Sequence, residues 1–192
     1  MSVLIVPWWK ADSVRQPVVR AWPPMLLALA LLSVFLVQAS QARAQAPTPG
    51  PGSTEAELIR MAEEFMRALS AKDTATLSGL MVEDATLHSV REGAEGPEVR
   101  LSTRADFLNS LGGDERELLE RIWDPTVLVS GSVAVVLAPY DFYVEGQFSH
   151  CGTDVFTFLK GAEGWRVTGV TYDVVREGCS PSPLGPPGPA VG

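Results

Sequence analysis

A chain of 192 residues with 46% hydrophobic content has room for one domain plus tails and is too apolar to be disordered throughout. Formal net charge is −8, and it falls to −11 (11 basic against 22 acidic residues) once the first 44 residues are set aside. A protein this acidic repels phosphate backbones and anionic lipid surfaces, so nucleic acid is not an expected partner, nor is a membrane after that segment is removed.

Those first 44 residues read as a secretion signal. Arg15 and Arg20 supply positive charge, Met25 to Val37 form an apolar run, and Ala42-Arg43-Ala44 fits a small-x-small cleavage pattern, with cleavage expected after Ala44. The run is short of the roughly 20 residues that a membrane span needs, which favours a cleaved signal over a retained anchor. The expected location is therefore secreted or periplasmic. Residues 45–53 form a flexible Pro/Gly linker, residues 54–179 the folded domain, and residues 180–192 a disordered tail of similar composition.

The domain opens on a helix. Thr54 with Glu57 reads as a capping box, and Leu58, Met61, Phe65 and Leu69 recur at helical spacing. Asp73 caps a shorter second helix carrying Leu77 and Leu80. A short strand follows over Ala85–Val90, then a Gly-rich loop over Arg91–Glu98. Thr103 with Asp106 starts a third helix, which Gly112-Gly113 ends as a left-handed cap would. Beyond Arg116 the pattern is all strand, punctuated by turns at Ser130-Gly131, Glu145-Gly146 and Gly161–Gly164. Three helices beside a mostly antiparallel sheet make an α+β fold. The two cysteines, Cys151 and Cys179, both lie in the exported part, where pairing is the expected state; a bridge would staple the end of the last strand to the start of the one before it.

Several segments together resemble the nuclear transport factor 2-like superfamily, closest to the polyketide-cyclase-like (SnoaL-like) group and its exported bacterial members. They are Ala71-Lys-Asp73, Leu80-Met-Val-Glu-Asp84-Ala, Ala138-Pro-Tyr-Asp-Phe-Tyr143, Ser149-His-Cys-Gly152 with Asp154, and Gly164-Trp-Arg-Val167. The resemblance covers nearly all of residues 54–179. It implies a cone of curved sheet closed by helices, a pocket at the wide end, and homodimerisation through the outer face of the sheet. It does not choose among isomerases, cyclases, dehydratases and non-catalytic binding modules.

Strand parity sorts the polar side chains. His150, Gly152, Asp154, Phe156 and Phe158 share one face, read as inward, and the turn at Gly161–Gly164 sets Asp154 opposite Thr171. A two-residue turn at Glu145-Gly146 pairs Asp141 with His150 and brings Tyr143 alongside; a three-residue turn instead sends Tyr140 and Phe142 inward. With the two-residue turn, the expected pocket holds Asp141, Tyr143, His150 and Asp154, with His88 reaching the same space. Asp141, Asp154 and His150 are the candidate catalytic groups, since a carboxyl in a partly apolar pocket has its pKa raised toward the range useful for proton transfer. In ketosteroid isomerase, which shares the resembled fold, an Asp base works beside a Tyr and a protonated Asp. An Asp141–His150 contact serves equally well as a structural pair. No zinc spacing, nucleophile elbow or phosphate cradle is present, so neither metal nor cofactor is expected. The expected function is binding of a small, partly apolar molecule. The alternatives are a cofactor-independent isomerase, cyclase or dehydratase, and a structural dimerisation module.

Overall fold

A computed structural model of the chain describes Gly50 and residues 52–188. The expected signal segment, its cleavage point and most of the linker lie outside the described residues. The element order is α1 (Thr54–Ser70), α2 (Thr74–Leu80), β1 (Met81–Gly93), β2 (Gly96–Thr103), α3 (Arg104–Gly112), β3 (Leu118–Ile122), β4 (Thr126–Ser130), β5 (Val133–Val144), β6 (Gln147–Gly161) and β7 (Gly164–Val174). The seven strands form one curved sheet in the order β2-β1-β7-β6-β5-β3, with β4 also paired to β5. Only the β1–β7 pairing is parallel. The expected α+β class and cone-like layout are what the structure has.

Helix α1 forms because Leu58, Ala62, Phe65, Met66 and Leu69 fall on one face, and all of them are buried. That face lies on the concave side of the sheet, where Phe65 meets Phe156 edge-on at 5.4 Å. Full burial of one such side chain stabilises the fold by roughly 1.5–3 kcal/mol. The helix is capped by Ser53, whose Oγ accepts from the Ala56 amide at 3.2 Å, one residue earlier than the expected Thr54. It ends with Lys72 at φ 55°, where the amides of Lys72 and Asp73 reach back to the carbonyls of Leu69 and Ala68. Asp73 caps α2 as expected.

Four local expectations differ from the structure. The segment Arg91–Glu98 is a hairpin between β1 and β2 rather than a loop, its strands paired from Thr86↔Thr103 to Gly93↔Gly96. Gly113 ends α3 in the right-handed region (φ −92°), so no left-handed cap is made there. Asp154 lies opposite Tyr172 instead of Thr171, because Thr168 is an extra residue in β7. Residues 180–188, expected as part of a disordered tail, return along the sheet, and the Gly185 carbonyl accepts from Arg121 at 2.9 Å.

Two β-bulges set which residues face the helices. In β6, Phe142 pairs with His150 and Tyr143 with Phe148, leaving Ser149 without a partner on β5. In β7, Phe158 pairs with Val167 and Thr157 with Gly169, leaving Thr168 unpaired. Each extra residue flips the parity of everything beyond it.

Candidate functional site

Helices α1 and α3 and the concave sheet enclose a cavity of about 190 Å³. Phe65, Met66 and Leu69 of α1 and Phe107 and Leu111 of α3 form its helical wall. Leu87 of β1 and Val170 and Tyr172 of β7 line one side of the sheet, and Leu118 and Glu120 of β3 with Phe142 of β5 line the other. His150 and Asp154 of β6 stand between them. The wall is thus apolar and aromatic apart from two acids, one imidazole and one phenol.

Each polar group has a traceable position. Glu120, Phe142 and His150 form a row across β3, β5 and β6 through the pairs Glu120↔Phe142 and Phe142↔His150. Asp154 and Tyr172 form a second row through their pairing across β6 and β7. Asp154 is 1% exposed, and its Oδ2 has no hydrogen-bond partner among the described residues. Burial pushes its carboxyl up to about 8, and the charge of Asp173 adds to the shift. Glu120 is raised well above the usual carboxylate range, first by burial, then by the charges of Asp154 and Asp141. His150 is pushed down to about 4, by burial first and then by the charge of Arg176, so its ring is neutral at pH 7. Its Nδ1 lies 3.0 Å from Ser149 Oγ, and its ring stands 4.9 Å from that of Phe142. Tyr172 is raised, chiefly by burial, and stays a hydroxyl.

Of the expected pocket residues, the structure brings together His150 and Asp154. It turns Asp141, Tyr143 and His88 away. The Glu145-Gly146 turn does have two residues, both at positive φ (52° and 70°), as a tight hairpin needs. The bulge at Ser149 nevertheless cancels the expected parity: Phe142 and Tyr140 point inward, and Asp141 and Tyr143 share the opposite face. There Asp141, 3% exposed, takes Arg121 Nε on Oδ1 at 2.9 Å and a second guanidinium nitrogen on Oδ2. The Arg121 guanidinium also lies 5.2 Å from the centre of the Tyr143 ring. Asp141 is therefore one half of an ion pair on the face away from the cavity. His88 of β1 pairs with Thr171 of β7; its neighbour Leu87 lines the cavity, so alternation sends His88 to the far face.

The residue that strand reading missed is Glu120. Leu118 and Ile122 flank it at strand spacing in Leu118-Leu-Glu-Arg-Ile122, so an acid on an otherwise apolar face was the available signal. The bridge between Cys151 and Cys179 is present, with a Cα–Cα separation of 6.1 Å. Cys151 is adjacent to His150 and faces the opposite side of the sheet. Its amide and carbonyl pair with Val175 at 2.9 and 2.8 Å, tying the end of β7 to β6.

Gly152 explains how Tyr140 fits within this wall. A Cβ at Gly152 would lie 2.1 Å from the Asp173 carbonyl oxygen and 2.8 Å from Tyr140 Cε1. Without it, the fully buried Tyr140 ring packs against the strand, and its hydroxyl donates to the Asp173 carbonyl at 2.7 Å.

No family model matches the sequence, and no curated protein matches it either. Solved structures do. An NTF2-like protein from Cytophaga hutchinsonii superposes with a TM-score of 0.54 at 12% identity, over 64% of this chain and 99% of that one. An NTF2-like superfamily protein from Salmonella enterica serovar Typhimurium gives 0.52 at 15% identity, over 67% and 96%. A candidate dehydratase of the NTF2-like family from Streptomyces avermitilis gives 0.50 at 18% identity, over 64% and 99%. At these identities the likeness is one of fold, and the described domain has the nuclear transport factor 2-like fold.

Proposed function

We propose that this is an exported domain that holds one small, partly apolar molecule in the cavity between α1, α3 and the sheet. The observation that carries this reading is Asp154 Oδ2, a buried oxygen on an apolar wall without a hydrogen-bond partner from the protein. Such an atom costs roughly 1–3 kcal/mol, a penalty that a bound molecule with a matching polar group removes. Glu120, His150 and Tyr172 supply further polar contacts, and the phenylalanines supply the apolar ones. Export is supported by the N-terminal charge and hydropathy pattern and by the Cys151–Cys179 bridge, which belongs in an oxidising compartment. Homodimerisation is part of the proposal. Leu128, Val133, Leu137 and Leu159 stand exposed on neighbouring strands of the outer face, where a second copy would cover them.

The binding reading is tested with a ligand-observed NMR screen of small uncharged and charged fragments. Binders should appear with the native protein and vanish in Leu111→Trp, which fills the cavity from α3. A native protein that binds no fragment of either kind refutes it. A second reading, proton transfer on the bound molecule, is favoured by one observation: the Asp154 carboxyl sits near the pH at which a general base or acid works best. Asp154 would then be the base, with Glu120, Tyr172 or His150 as its partner. Bound carbonyl fragments incubated in D₂O would gain deuterium at carbon under that reading, and would not under simple binding.

A further inference from the structure

The chemistry of the cavity wall also restricts the charge of its occupant, granted the binding reading above. Two acids, Glu120 and Asp154, face it, and neither lysine nor arginine lines it. The arginines on nearby strands are engaged elsewhere: Arg121 pairs with Asp141 on the opposite face, and Arg91 with Glu98 on the β1–β2 hairpin. His150 is neutral, and Arg176, whose charge adds to its downward shift, does not line the cavity. The remaining polar wall is the Tyr172 hydroxyl, and around it stand the rings of Phe65, Phe107 and Phe142.

Three ligand classes meet this wall differently. An anion meets two acids and no compensating cation, and Coulomb repulsion at low dielectric rejects it once either acid ionises. A neutral molecule leaves the two acids to be accommodated by protonation alone. A cation gives both carboxylates a charge partner, and the ring faces attract it as well, by ~0.5–2 kcal/mol per well-placed contact. Asp154 itself lines the cavity, is 1% exposed, and its Oδ2 has no hydrogen-bond partner among the described residues.

We propose that the cavity takes a small organic ammonium ion, with Asp154 and Glu120 as its charge partners and the rings of Phe142 and Tyr172 among its walls. The volume of about 190 Å³ suits a small organic ion.

A pH signature follows. The titratable groups around Asp154 are Glu120 from β3, Tyr140 from β5, His150 on its own strand, and Tyr172 and Asp173 from β7; α1 and α3 present none to the cavity. With Asp154 held up to about 8, the free protein carries a proton there at neutral pH, and a cation must displace it. Affinity for an ammonium ion therefore rises about tenfold per pH unit for each proton released and levels off above that value. A neutral acceptor, which needs the protonated acid as donor, behaves in the opposite sense.

Calorimetry of the purified protein with choline and with its uncharged isostere 3,3-dimethylbutan-1-ol, between pH 6 and pH 9, tests this. Choline should bind, tighten about tenfold from pH 6 to pH 7, and exceed the alcohol at least tenfold in affinity at pH 8. Asp154→Asn should abolish the choline advantage over the alcohol and its pH dependence; should that variant not fold, the native pH series decides alone. Alcohol binding equal to or tighter than choline, or choline binding that weakens as pH rises, overturns the cation proposal and leaves the pocket reading standing. Failure of both compounds, together with an empty fragment screen, removes both proposals.

Discussion

Asp154 shows how one residue couples the site to stability. Its carboxyl titrates near 4 when unfolded and is raised to about 8 in the fold, so the folded state holds the proton more tightly. The stability it contributes is complete below about pH 4 and is lost as pH rises through 8. Asp154→Asn, which carries no charge to desolvate, should therefore melt higher than the native protein at pH 8, by on the order of a few kcal/mol, and alongside it at pH 4. Thermal melts at the two pH values check this. Asp141 teaches the opposite lesson. Its partner Arg121 is itself mostly buried, with 16% of its side chain exposed. Replacing Arg121 by Met strands a buried carboxylate and should cost about 3–5 kcal/mol in urea unfolding. Nothing in the residues flanking Asp141 and Asp154 separates these two aspartates; only the ladder does, by giving one a guanidinium and the other an apolar wall.

At the scale of elements, helix positions, turns and the inward face of β6 were legible because each rests on local chemistry. Helical spacing placed α1, Asp73 placed α2, and Gly161–Gly164 placed the last hairpin. What escaped was the parity of β5 beyond the β6 bulge and of β7 beyond its own. Ser149 and Thr168 look like ordinary strand residues, and they become bulges only because the curved sheet needs them there. Hence an unbroken ladder sends Asp141 and Tyr143 inward, and a lone acid on the short β3 gives no sign of the cavity it faces. The tightest local constraint in the site is Gly152. Gly152→Ala sets a methyl against a backbone carbonyl that cannot rotate away, so a loss of about 3 kcal/mol or outright misfolding is expected. Circular dichroism during denaturation reads it. The Cys151–Cys179 bridge closes a separation of 28 residues, and Cys179→Ser should cost ~2–4 kcal/mol. Thiol labelling of the denatured, unreduced native protein should find no free thiol.

For the whole molecule, the cavity and the apolar outer face lie on opposite sides of one sheet. The proposed homodimer would therefore leave the ligand site clear. Leu128, at 67% exposed, and Leu159, at 49%, anchor the outer patch. Light scattering on eluted protein should give twice the chain mass, and the double substitution Leu128→Glu with Leu159→Glu should halve it without unfolding the domain. A monomeric native protein would leave those leucines as isolated surface groups, which folded proteins tolerate.

The two bulges carry a further consequence for how such a protein can change. Losing Ser149 by a one-codon deletion would leave Phe142 opposite His150 and Asp141 opposite Cys151, as now, and would only straighten the strand; drawing Ser149 into the ladder, with β5 slipped by one residue, is what would set Asp141 opposite His150 and turn Asp141 and Tyr143 toward the helices. Cavity polarity would then be rewritten by strand register instead of by side-chain replacement.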